Sequence, residues 1–398
     1  MDFNRLIQPI DSSRFFAEFW QRAPLLIERD APRYYDGTAG IADVDGWLLH
    51  GRVRYPELKL TKNGTPLPAE TLLQSGWLGG ILPGDERPAR VATVHEAYRN
   101  GYTVVLRVEK LSPAVAALCR SVEVALHHTL IAELFLTPKE SQGFALHADE
   151  HDVFVMQLSG AKRWKVYAPP AQPSPELLEV EAGTPLVDAV VRPGDLLYVP
   201  LGFPHQASTM DAQSSLHLSL GVFTFKWSDL VTQALQAVTE EVPEFRGPLP
   251  VELLKKDGAA FQEKLKTLIG MLWERADARV GHERLALNYC NSLRPLADGH
   301  FADVDALPSI TLDTELEQRP GSICHLARQR ESLVLAFPGN RLKLPLAAAE
   351  TLESIVAAEA PFTARSLPGN LDEKGRLTLV MRLVSAGLLH VRRGAYDG

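Results

Sequence analysis

The chain has no apolar run near the roughly 18 residues that a membrane-crossing helix needs, although 45% of its 398 residues are hydrophobic. It has only three cysteines, Cys119, Cys290 and Cys324. They are far apart and odd in number, so they make no zinc-type pair and suit a reducing compartment. The opening MDFNRLIQPIDSSRFFAEFW lacks the basic segment and apolar core of a secretory leader, so a cytoplasmic location and no membrane partner are expected. An excess of positive charge is missing too. The balance is −8, which argues against a chain that wraps nucleic acid by bulk electrostatics. There is no internal repeat and no low-complexity tract. What remains is an ordinary globular composition, long enough for two or three domains.

The texture changes along the chain. DSSRFFAEFW (11–20) carries a cap signal and helical spacing, PLLIERD reads as a short strand, and residues 41–50 as a short helix. Residues 52–110 are mixed, with the strand YTVVLRVE. Residues 113–128 read as an amphipathic helix with Pro113 at its start. From about 129 to 225 short strands are punctuated by turn signals such as SGAK, RPGD and LGFP, the pattern of a barrel or sandwich. Residues 227–330 return to helical patterning, including FQEKLKTLIGMLWERADARV and GSICHLARQR. The last seventy or so residues alternate strand and helix, as in a small winged-helix-like domain.

The chemistry concentrates in FALHADEHDVFVMQLSGAKRWKVY, 144–167. His147 and Asp149 share parity, so on a strand they point to one side. His205, after the LGFP turn, is the best third ligand. Two histidines and a carboxylate on one face of a metal leave positions open, the arrangement of non-haem iron oxygenases. The HxD triplet alone is common and weak; the downstream G-x-P-H strengthens it. Lys162, fifteen residues after His147, is either an edge lysine that discourages strand pairing or the cation of a pocket for a small dicarboxylate. On SLHLSLGVF the leucines alternate with His217, Ser219 and Gly221. The leucines should face a packed layer and the polar set a pocket. His151 reads as near the site but off the pattern. His127 and His128 sit at a helix end, where a charged imidazole is favourable.

With these motifs the sequence resembles the Jumonji-C, cupin-like Fe(II)/2-oxoglutarate oxygenases, above all the ribosomal oxygenase branch, which hydroxylates histidine or arginine in ribosomal proteins. The likeness spreads from FFAEFWQRAPLLIERDAPRYY to LPGNLDEKGRLTLVMRLVSAGLLHVRR. It implies an α+β fold: a double-stranded β-helix (jelly-roll or cupin barrel) with N-terminal α/β elements over 1–226, a helical dimerisation region over 227–328 and a winged helix over 329–398. It implies Fe(II) on His147, Asp149 and His205, the 2-oxoglutarate tail on Lys162, and His217 near the metal. The expected partners are a protein or peptide substrate, a ribosomal protein first among them, and a second copy of the chain; nucleic acid is not expected. Alternatives are a hydroxylase of a natural product, small peptide or free amino acid, and a non-catalytic barrel and winged-helix binding protein. Two positions depart from the family. Glu133 stands where relatives usually have Asn beside the cosubstrate, and Gly221 where they often have Ser. Glu133 could lie protonated near the iron end of 2-oxoglutarate, turn to a cation or a substrate amine, or face solvent.

Overall fold

A computed structural model describes residues 1–392 other than 51–52, 55, 74–88, 170–182, 211–212, 255–257 and 297. Part of the mixed 52–110 stretch therefore lies outside the described residues. The rest fall into two compact units, Met1–Thr224 and a second that begins at Phe225.

The first unit holds β1 (Leu25–Ile27), β2 (Leu58–Lys62), β3 (Thr65–Pro66), β4 (Thr103–Arg107), β5 (Thr129–Thr137), β6 (Asp152–Ser159), β7 (Lys162–Val166), β8 (Val187–Val191), β9 (Leu196–Val199), β10 (His205–Thr209) and β11 (Ser215–Phe223). One sheet runs β1-β9-β6-β11-β5-β4-β2-β3 and a second β10-β7-β8. This is a cupin-like barrel of mixed helix and sheet. Between the sheets, Val153, Val155, Leu197 and Val199 meet Trp164, Val166 and Val191.

Strand parity decides what lies on each side of the large sheet. On β5, Leu130, Ala132, Leu134 and Leu136 face outward into the main core. On β11, Leu216, Leu218 and Leu220 do the same and are fully buried. Against them pack Val115, Leu118 and Val122 of the Pro113–Leu126 helix, with Phe3, Leu6 and Phe15 from the N-terminal segment. Each buried leucine is worth about 1.5–3 kcal/mol. The helix begins where expected: the Ser112 hydroxyl accepts from Val115 N–H at 3.3 Å and Pro113 takes the first position, where its missing N–H is harmless. It ends slightly earlier than the apolar pattern, at His127 with φ +54°. His128 is no charged cap: its ring stacks on Trp20 at 6.3 Å, and burial lowers its pKa.

A β-bulge falls opposite Leu216–His217 on β6, where Leu216 pairs with Ser159 and His217 with Gln157. The buried Gln157 amide stitches it, donating to Ser159 O and Ser215 Oγ, both at 2.8 Å. The following turn aims Lys162. Gly160 there has φ +62°, and a β-carbon would stand 2.0 Å from Ser214 O, so only glycine fits.

The second unit opens with helices Trp227–Glu241, Ala259–Arg275 and Ala278–Ser292. The first and third pack together. The expected single helical stretch 261–280 breaks at Asp277, whose carboxylate caps the next helix by accepting from Arg279 N–H at 2.8 Å. Six strands follow: β12 (Glu315–Gln318), β13 (His325–Arg328), β14 (Leu333–Phe337), β15 (Asn340–Leu344), β16 (Phe362–Thr363) and β17 (Leu389–Val391). They form sheets β16-β12-β17 and β13-β14-β15, accompanied by helices Ala349–Val356 and Glu373–Ser385. The helical reading of GSICHLARQR is overturned. Its second half is β13, paired antiparallel with β14 from His325–Ala336 to Arg328–Leu333. Four residues of apolar spacing cannot separate the two periods, and pairing with the fully apolar β14 decides. Among the described residues no helix is long and apolar enough to cross a membrane.

Candidate functional site

The inward parity of β5 and β11 builds a cavity of about 230 Å³ in the barrel. Ile131, Glu133, Phe135 and Thr137 line it from β5, and His217, Ser219 and Gly221 from β11.

His147, Asp149 and His205 come together there, each offering a ligand atom within 4.8 Å of the others. The backbone makes this a fixed trio. His147 and His205 form an antiparallel bridge, with N–H···O distances of 3.1 and 2.7 Å. Gly202 N–H donates to Asp149 O at 2.9 Å, tying the two ligand loops. The ring nitrogens are sorted as well. His147 Nδ1 lies 2.8 Å from Ala145 O and His205 Nδ1 3.0 Å from Phe203 O. A carbonyl only accepts, so each Nδ1 carries a proton, and each Nε2 is the ring atom turned toward Asp149. The Nε2 atoms stand 3.9 and 3.6 Å from the Asp149 oxygens. Burial, helped by the nearby His147, holds the His205 pKa down at about 4, so that imidazole is neutral and able to ligate. The donor set fits a divalent transition metal with open coordination positions. Beneath it, the buried Asp152 carboxylate accepts from Tyr198 Oη at 2.5 Å and Leu201 N–H at 3.3 Å, bracing the loop that leads to His205.

Lys162 is not an exposed edge lysine. It is 4% exposed and donates to Thr137 Oγ1 at 2.8 Å. Thr103 Oγ1 is 3.1 Å from the same hydroxyl. Among the described residues no carboxylate pairs with the ammonium, and burial alone pushes its pKa down to about 7. An enclosed cation with no counter-ion is a seat for an anion. His217 lies beside it, stacked on Phe135 at 4.7 Å with Trp164 edge-on at 5.6 Å. Among the described residues its buried Nδ1 has no hydrogen-bond partner. Burial first, then Lys162, lower its pKa well below the usual imidazole range.

Glu133 lines the same cavity with its side chain 24% exposed, and its carboxylate is turned toward Lys59 Nζ at 3.6 Å. His151 is a correction. It lines the cavity and stacks on Phe223 at 4.7 Å. Gly221 makes room for it: a β-carbon at 221 would stand 2.7 Å from the His151 ring. Thr137, Phe135 and Phe144 also line the cavity, and the motifs did not single them out. Continuing the alternation of β5 from Glu133 would have found the first two. Lys59 could not be found that way, because it arrives from β2, two strands away.

A cupin-like barrel enclosing a His-x-Asp…His trio and a buried lysine is the layout of a JmjC barrel. Residues 109–230 match the model of the JmjC domain. It is 31% identical to ribosomal oxygenase 1 of Rattus norvegicus, over 79% of this chain and 52% of that protein. It is 32% identical to the bifunctional lysine-specific demethylase and histidyl-hydroxylase NO66 of Aedes aegypti, over 63% of this chain and 40% of that one. The chain spans about half the length of the curated relatives it matches. Its fold is similar to that of Escherichia coli ribosomal oxygenase YcfD in complex with cobalt and 2-oxoglutarate, with a TM-score of 0.57, 16% identity, and 97% of this chain and 99% of that one covered.

Proposed function

We propose that this chain is an Fe(II)- and 2-oxoglutarate-dependent dioxygenase that hydroxylates an amino-acid side chain of a protein or peptide, first of all histidine or arginine in a ribosomal protein. The observation that carries this is one cavity holding a three-ligand trio and, walled in beside it, an uncompensated lysine. His147, Asp149 and His205 would hold the iron. Lys162 and Thr137 would hold the far carboxylate of 2-oxoglutarate, with the unpartnered Nδ1 of His217 turned to the same ligand region. Iron and 2-oxoglutarate together supply the oxidising chemistry: 2-oxoglutarate and dioxygen become succinate and CO₂ while a C–H bond becomes C–OH. The chain's own work is to fix the ligands through the His147–His205 bridge and to keep the cavity closed around them. The relatives' names, ribosomal oxygenase and histidyl-hydroxylase, and the cobalt and 2-oxoglutarate bound by YcfD support this reading.

The division into a catalytic region (1–226), a dimerising helical region (227–328) and a winged helix (329–398) is part of the same proposal. The sheet β13-β14-β15 spans its second boundary, so the third module would share that sheet. A homodimer is supported by the Ala259–Arg275 helix. From Phe261 to Arg275 none of its side chains is buried, and Leu265, Ile269 and Trp273 project from it at helical spacing, the tryptophan 86% exposed. The winged helix would then dock protein rather than nucleic acid, and the chain would work in the cytoplasm.

The test is mass spectrometry of ribosomal proteins from cells with and without this protein. A +16 Da shift present only with it is expected. Identical spectra would remove ribosomal proteins as substrates.

A further inference from the structure

The cavity has two ends, and β5 measures the distance between them. Thr137, bonded to Lys162, marks the closed end. Phe135 comes next, ringed by His217 and by Phe144, which leans on His147 at 5.5 Å. Glu133 is four residues from Thr137, about 13 Å at roughly 3.3 Å per strand residue, the same remove as His205 from Thr209, the partner of Lys162 on β7. Glu133 and the trio therefore both stand at the end away from Lys162, and Lys59, 60% exposed, marks it as the open end. The carboxylate faces what enters from outside.

Its surroundings suit a cation. Among the described residues the cavity wall holds two carboxylates, Asp149 and Glu133, and the first belongs to the trio. Glu133 is partly shielded, and Lys59 holds it weakly: 3.6 Å away, beyond a good hydrogen bond, on a side chain 60% exposed. A pair so exposed is weak, so an incoming cation displaces Lys59 at little cost. Across the strand pair, Glu133 faces Ser219 and Ile131 faces Gly221. His151 lies over Gly221. These give a polar seat beside an apolar and aromatic wall, which fits a long side chain with an aliphatic stem and a charged head.

Resting on the function proposed above, we propose that Glu133 is a specificity-determining residue that receives the guanidinium or ammonium of a substrate arginine or lysine at the mouth of the cavity, displacing Lys59, and selects it over neutral and imidazole side chains. The head group is anchored on Glu133, and carbons of the stem are presented to the trio.

The experiment uses the full chain with Fe(II) and 2-oxoglutarate. Ribosomal proteins from cells lacking it are treated, cut with a protease specific for acidic residues, and searched for +16 Da. Synthetic peptides spanning each modified site are then compared with citrulline replacing arginine, or norleucine replacing lysine. Products on arginine or lysine are expected, with the neutral analogue weaker by about ten- to a hundredfold, the range of a charge-assisted hydrogen bond. In Glu133→Gln that preference should collapse, and in Glu133→Asp it should partly return. A lost fold would not mimic this, because the readout is a ratio between two peptides on one protein sample. Products confined to histidine or other uncharged side chains, a preference unchanged in Glu133→Gln, or 2-oxoglutarate turnover with no protein product would each overturn the proposal. Absence of any 2-oxoglutarate turnover by the wild-type chain would instead overturn the function on which it rests.

Discussion

Replacing Lys162 by methionine should make the ligand-free chain more stable and the ligand-binding chain useless. The lysine is buried with one neutral hydrogen-bond partner, and its pKa is lowered from 10.5 to about 7. The unfolded chain keeps that proton up to about pH 10.4. Between about pH 7 and 10 the unfolded state thus binds one proton more, and the fold loses stability as pH falls through this window. At 1.36 kcal/mol per pH unit the full cost below about pH 7 is roughly 5 kcal/mol, an upper bound because the surroundings relax. Methionine fills a similar volume without the charge, and Thr137 keeps Thr103 as a partner. Urea denaturation of the metal-free chain should show Lys162→Met more stable by about 1–4 kcal/mol at pH 7, with the gain fading toward pH 10. The same variant should lose the stabilisation that millimolar 2-oxoglutarate gives the wild type in the presence of Mn(II). In the wild type, binding the diacid restores the ammonium, so affinity should fall up to tenfold per pH unit above about 7. A variant less stable than wild type at pH 7, or a gain that ignores pH, would refute the reasoning that Lys162 is held as an uncompensated cation.

Gly160→Ala forces a β-carbon to 2.0 Å from Ser214 O in a left-handed turn. It should destabilise by about 2–5 kcal/mol, strain and overpacking together, read as a lowered urea midpoint. Gly221→Ser meets the tip of the His151 ring at 2.7 Å and Ile131 at an ordinary 3.5 Å. Stability should change by under about 1 kcal/mol, while the ring leaves Phe223 and its NMR signal loses the ring-current shift; an unmoved signal would mean another group yields. Trp273→Glu on the exposed helix face should leave the fold intact and convert a dimer to a monomer by light scattering. A wild-type chain that is already monomeric at micromolar concentration would remove the dimer.

The barrel was largely legible because its strands carry parity. Leu216, Leu218 and Leu220 alternate with His217, Ser219 and Gly221, so the two faces of β11 could be read directly. His147, Asp149 and His151 precede β6 and lie outside any strand, so their placement rests on the His147–His205 bridge and not on parity. Other features depend on contacts that local pattern does not encode. Lys59 reaches Glu133 only because β2 and β5 both pair with β4. The capacity of Gly221 to admit a histidine ring is a matter of three-dimensional space. In the second unit, four residues at 325–328 were too few to separate helix from strand, and their pairing with β14 settled it.

Succinate release from 2-oxoglutarate by the purified chain tests the central claim most directly. Release that requires both added Fe(II) and dioxygen, and that falls to background in Asp149→Ala while that variant keeps the wild-type unfolding free energy to within about 1 kcal/mol, is the expected result. Release that persists in a well-folded Asp149→Ala, or a wild-type chain that binds iron and 2-oxoglutarate and forms no succinate in air, would contradict it.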